Sequence, residues 1–150
     1  MDDSHGIACV SIMSPDNNPI FIQKYGNEIE ELEMDSLIFC SLDFFETKVG
    51  HKSTSKNDSY LGNIQNSDQF QVWGFKPGLN YKIIILTYHT QAIIPDQTMI
   101  STFKKIQDLL FNAFMNPFYV PFSLLDSNSR FKDMVQTIVN TFPVPPEINK

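Results

Sequence analysis

Apolar and polar positions along this chain follow a strand period in some stretches and a helix period in others, and the changes between them mark out its elements. Gly6 to Ser14 is a nearly continuous apolar run of strand length, which predicts a central strand covered on both faces. Pro15-Asp16-Asn17-Asn18 is turn chemistry, and Pro19 to Tyr25 predicts a second strand in a hairpin with the first. Pro19 has no N–H to give to a ladder, which places this strand at a sheet edge. Gly26 to Glu33 is a break followed by Glu28, Glu30, Glu31 and Glu33, which reads either as the first turn of a helix facing the positive end of its dipole or as a solvated charge run. From Met34 the helical pattern is clear. At ~100° per residue, Met34, Leu37, Ile38, Ser41, Leu42, Phe45 and Val49 share one core-facing arc.

That projection leaves Ser36, Phe39, Cys40, Asp43, Glu46 and Thr47 on the far side of the helix. A single aromatic on a helix back is ordinary, but Phe39 beside Asp43 makes this face a candidate partner contact. Gly50 to Asn57 is polar, without periodicity, and reads as a surface loop. Three strands follow. The first lies within Asp58 to Gln65, the second alternates over Phe70 to Phe75, and the third, Tyr81 to Tyr88, is apolar enough to sit centrally beside the first strand of the chain.

Pro95-Asp96 opens a helix with Asp96 as N-cap, whose core face is Met99, Phe103, Ile106, Leu110, Ala113 and Phe114, with Lys104 and Asp108 paired on the other side. It must end before Pro117. A final amphipathic helix places Phe131, Met134, Val135, Ile138 and Phe142 on one face, and Pro143, Pro145 and Pro146 close it. Between these two helices, Asn116, Pro117, Phe118, Tyr119 and Pro121 form a stiff crossover too aromatic to be a solvated connector. It reads as a structural clamp packed between the last helices and the sheet. The order is ββαβββαα, an α+β architecture with a five-stranded antiparallel sheet and helices on its faces. Residues 1–142 read as a single domain and 143–150 as a Pro-rich tail.

Charge narrows the function. A formal net charge of −6 with only 11 Lys and Arg disfavours nucleic acid and anionic lipid as partners. No apolar run reaches the ~20 residues of a membrane span, and the acidic start Met1-Asp2-Asp3 is unlike a signal peptide, so a cytosolic protein with no direct membrane span is expected. Cys9 and Cys40 lie inside apolar segments without close pairing and read as buried or half-buried thiols, not as a disulfide or metal pair. His5, His51 and His89 occupy a terminus, a loop and a strand end, and no nucleophile–base pair can be assembled. His89 with Asp96 is the least unsuitable pair, so neither an enzyme nor a cofactor or metal is expected.

The element order resembles the longin, or SNARE-like, fold. Within it, Ser41-Leu42-Asp43 and Asn116-Pro117-Phe118-Tyr119 resemble the sedlin family of vesicle-tethering (TRAPP) subunits, and Tyr60-Leu61-Gly62 with Val72-Trp73-Gly74-Phe75 resembles its subunit 2-like branch. The likeness runs roughly from Gly6 to Phe142, with departures at Phe44-Phe45-Glu46 and in the Pro-rich tail. It implies a non-catalytic adaptor subunit that supports assembly of a tethering complex and activation of a Rab GTPase in ER–Golgi traffic, peripheral to ER–Golgi intermediate and Golgi membranes. It also implies other TRAPP subunits as partners, and it carries a partner-contact role to Asp43. A weak homo-oligomer is a further expectation, since the helix back and the edge strand at Ile20 to Tyr25 both offer pairing surfaces. The alternative reading is another longin-type module, such as a small clathrin-adaptor-like subunit or a SNARE-regulatory domain. A SNARE would need a following coiled coil and membrane anchor.

Burying Phe118 and Tyr119 should contribute about 2–3 kcal/mol each. Phe118→Ala is therefore expected to lower the melting temperature clearly in a circular-dichroism melt. An unchanged melt would remove the clamp from the structural account.

Overall fold

The two least alternating strands, Ile7–Met13 (β1) and Lys82–Tyr88 (β5), lie side by side in the middle of a five-stranded antiparallel sheet. The computed structural model of the chain describes residues 7–25, 28–50, 60–67, 69–76, 81–88, 96–115 and 129–140, with the side chains of 28–30, 44–50 and 129 excepted. The remaining elements are Pro19–Lys24 (β2), Glu28–Gly50 (α1), Tyr60–Asn66 (β3), Phe70–Phe75 (β4), Asp96–Phe114 (α2) and Ser129–Asn140 (α3). The order is ββαβββαα, as expected, and it is that of a longin-like α+β fold. Two compact units make up the chain, Ile7–His89 and a second comprising Met1–Gly6 with Thr90–Lys150.

In the first unit the strand order is β2-β1-β5-β4-β3, so the proline-started β2 forms one edge. All seven residues of β1 are buried. The hairpin between β1 and β2 turns through Asn17, which adopts the left-handed region at φ 67°, a conformation asparagine tolerates better than most residues. Its N–H donates to the Ser14 carbonyl at 2.8 Å, and the Ser14 N–H donates to the Asn18 carbonyl at 2.8 Å. The buried ammonium of Lys82 donates to Asn17 Oδ1 at 2.6 Å, tying the turn to the start of β5. On β3, Gly62 at φ +79° lies where the register with β4 shifts, a bulge that only glycine enters without strain.

Successive strand side chains point to opposite faces. One face carries Cys9, Met13, Phe70, Val72, Ile84 and Leu86, and α1 lays Met34, Ile38 and Leu42 against it as the predicted core stripe. The other carries Val10, Ile12, Trp73, Phe75, Ile83, Ile85 and Thr87, all buried. There the Trp73 indole N–H donates to Thr87 Oγ1 at 3.0 Å.

In the second unit α2 packs against α3. Met99, Phe103, Ile106 and Leu110 of α2 are buried at the predicted spacing, whereas Ala113 and Phe114 are half-buried. Asp96 is the first helical residue. The stripe of α3 differs from expectation. Phe131, Val135 and Val139 are the buried residues, while Met134 is 41% exposed and Ile138 half-buried. A strict four-residue step explains this, since it drifts slowly around the helix and leaves the three-residue neighbours at the rim. The clamp residues Asn116, Pro117, Phe118, Tyr119 and Pro121, Phe142 and the three histidines lie outside the described residues.

Removing the acceptor from the buried Trp73–Thr87 pair would leave the indole N–H unpaired. Thr87→Val is expected to cost about 1–3 kcal/mol in a urea melt followed by tryptophan fluorescence or circular dichroism. Trp73→Phe added to it should cost less than the two single losses together, because the orphaned donor is then gone.

Candidate functional site

The helix α1 separates its residues cleanly into two faces. Met34, Ile38, Ser41 and Leu42 are buried, and Ser36, Phe39, Cys40 and Asp43 are exposed. This is the division the periodicity predicts, except that Leu37 of the core-facing arc is half-buried. Glu46 and Thr47, expected on the same outward face, have side chains outside the described residues. Phe39 is 50% exposed, and Leu32, one helical heptad earlier, is 74% exposed. At ~100° per residue, Leu32, Ser36, Phe39 and Asp43 lie within one stripe. Leu32 is the member that sequence reasoning missed. It lies in the acidic approach, which was read for its charge, and extending the same projection four residues towards the N-terminus would have found it.

Two contacts hold the helix at its flanks. Lys24 Nζ of β2 pairs with Asp35 Oδ1 at 2.7 Å, and Gln65 Nε2 of β3 donates to the Leu37 carbonyl at 3.3 Å. The Ser41 hydroxyl donates to that same carbonyl at 2.6 Å, so a polar residue sits in the core stripe with its donor satisfied by its own helix. One contact fixes α1 to the β2 edge and the other to the β3 edge, which sets the face it turns outward.

The cysteines divide across this helix. Cys9 is buried in β1 among the residues α1 covers, and Cys40 is exposed on the outward stripe, contrary to its reading as a buried or half-buried thiol. The apolar neighbours Ile38 and Phe39 suggested burial, but the helical turn places Cys40 on the side opposite Ile38. Burial pushes the Cys9 thiol up from its ordinary 9.0 to about 12. Lys24 pulls the other way, and the carboxylates of Asp35 and Glu31 add to the rise.

A second surface lies in the other unit. Leu109, Met134 and Ile138 line a shallow groove between α2 and α3, with Lys105, Asp108 and Thr137 at its sides. Among the described residues no group of three or more His, Cys, Asp or Glu is placed to hold a metal ion, and no helix is long and apolar enough to cross a membrane.

Comparison with known proteins bears on which surface matters. The family model described as Sedlin matches residues 12–141. The chain is 34% identical over 140 residues to the "Trafficking protein particle complex subunit 2-like protein" of Dictyostelium discoideum, covering 91% of this chain and 96% of that one. It is 24% identical over 134 residues to the protein of that name from Bos taurus and 23% over 134 residues to the one from Rattus norvegicus, in each case covering 87% of this chain and 95% of the relative.

The thiols give a direct check on the division of α1. At neutral pH the folded chain is expected to react with one equivalent of a thiol reagent, at Cys40, and with the second only on unfolding. Cys9 also makes stability depend on alkaline pH. Its folded pKa lies above the unfolded one, so the contribution is complete below about pH 9 and is lost as pH rises towards 12, at about 1.4 kcal/mol per unit. Denaturation series across that range should show Cys9→Ala declining less steeply than the parent chain.

Proposed function

The chain belongs to the sedlin family, and on that premise we propose that it is a non-catalytic adaptor subunit of a TRAPP-type vesicle-tethering complex. Its role is to support assembly of the complex and activation of a Rab GTPase in ER–Golgi traffic, at the cytoplasmic side of ER–Golgi intermediate and Golgi membranes. The observation that carries this reading is likeness along nearly the whole chain, on both sides of the comparison, to relatives named as subunit 2-like proteins of the trafficking protein particle complex. Coverage of that extent leaves no appended domain in those relatives to hold the role by itself.

The partner-contact surface in this reading is the outward face of α1, with Asp43, Phe39 and Ser36, to which Leu32 is added, and with Glu46 and Thr47 continuing it along the helix. A helix whose inner face is committed to the sheet has an outer face free to vary, and exposed apolar side chains among charges are the usual composition of a contact surface. The clamp remains a structural element in this proposal, outside the contact. Residues 1–142 act as one longin-like module, with 143–150 as a tail.

Asp43→Tyr tests the assignment. The side chain is exposed, so folding stability is expected to stay within about 1 kcal/mol of the parent chain, while recovery of TRAPP subunits on the tagged chain should fall. A collapsed circular-dichroism melt would make Asp43 a structural residue. A normal melt with full recovery of the subunits would move the contact away from this face.

A further inference from the structure

We infer that the outward face of α1 receives a different protein chain, one presenting an apolar anchor among lysine or arginine side chains, and not a second copy of this chain. The inference rests on the subunit role proposed above and specifies the chemistry of the partner. Its apolar component is the pair Leu32 and Phe39, 74% and 50% exposed and spaced seven residues apart, which forms a two-turn ridge along the stripe.

Charge decides what can cover that ridge. The helix carries Glu28, Glu30, Glu31, Glu33, Asp35, Asp43 and Glu46 against the single cation Lys48. The cation that the neighbouring strand offers is Lys24, and it is already joined to Asp35 at 2.7 Å. The field beside the ridge is therefore negative.

A two-fold contact places the same patch on both copies, so two α1 faces would bring Glu31, Glu33 and Asp43 of one chain up to the acids of the other as the ridge became desolvated. Each copy also carries a net −6, which opposes the approach before contact. A basic partner turns both effects into attraction. The α2–α3 groove offers no comparable argument, since Lys105 and Asp108 at its sides are of opposite sign. For the same reason, any weak self-association expected from sequence is assigned to the β2 edge and not to α1.

The test is zero-length carbodiimide coupling, which joins a carboxylate to a lysine amine in ion-pair contact, on the complex purified through a tag on the full chain. Trypsin cuts after Lys24 and Lys48, so the acids of α1 from Glu28 to Glu46 fall in one peptide; where Lys24 has condensed with Asp35 the first cut is lost, and the looped peptide 1–48, lighter by one water, is the internal coupling control. The expected result is that this peptide is coupled to lysines of another subunit, and that Leu32→Ala with Phe39→Ala lowers recovery of that subunit about tenfold. Coupling of the peptide mainly between two copies, read from a mixture of light and heavy-isotope chains, would overturn the inference. So would an uncoupled α1 in a complex that otherwise holds together while the control pair couples. A chain recovered without any other subunit would overturn the subunit role itself and the inference with it, which separates the two failures.

Discussion

The fold depends on the antiparallel pairing of β1 with β5, which brings Ile12 opposite Ile83 and Val10 opposite Ile85. Both strands are buried almost throughout, with no alternation to give a wet face. A strand of that kind cannot be an edge, because its unpaired backbone groups and its apolar side chains would both meet water. Each must therefore have a strand on either side, and the hairpin partner β2 and the meander β4–β3 supply them. The pairing joins segments distant in sequence, and closing so long a loop costs only a few kcal/mol more than closing a short one, because the cost grows with the logarithm of length. Burial of six or seven aliphatic side chains at about 1.5–3 kcal/mol each is the larger effect.

The candidate site follows from that sheet by subtraction. Once one face is apolar from Cys9 to Leu86, α1 must cover it, and Met34, Ile38 and Leu42 do so. The flanking contacts refine this arrangement and do not cause it. Lys24–Asp35 is partly exposed and contributes at most about 1 kcal/mol, less than any one of the three buried side chains. Rotation of the helix about its axis is thus set by its hydrophobic stripe, and the outward position of Leu32, Ser36, Phe39 and Asp43 is a consequence of what faces inward. The same packing explains the two cysteines. Cys9 is held where a thiolate would be desolvated, and Cys40, on the helix back, meets solvent.

Much of this was legible in the residues because each element obeys one dominant period. The apolar continuity of Ile83 to Leu86 gives β5 its central place, Pro19 gives β2 the edge, and the two faces of α1 from Met34 to Asp43 follow the helical period, with Leu37 half-buried at the margin of the core stripe. What escaped depends on relations that no local period contains. The hydrogen bond from Lys82 to Asn17 joins residues far apart in sequence, and a lysine at the start of an apolar strand reads as an exposed terminus until the turn that receives it is known. Three residues after Phe131, Met134 reads as core, but when the buried contacts step by four, that position falls at the rim. Leu32 was obscured by its acidic neighbours, and with it half of the apolar ridge.

A ridge of this size bounds the kind of association it can support. From Leu32 to Asp43 the helix rises ~16 Å, so the stripe presents a few hundred Å² at most. Stable specific interfaces bury about 800 Å² on each partner. The stripe can therefore supply the anchor of an interface, where a few aromatic and aliphatic side chains carry most of the energy, but it cannot be the whole of one. Within a multisubunit assembly that is sufficient, because contacts elsewhere hold the partner at high effective concentration and the ridge has only to select orientation and identity. Selection is what a negative rim around an apolar anchor does well. It adds little to affinity in water and much to the penalty against a partner of the wrong sign.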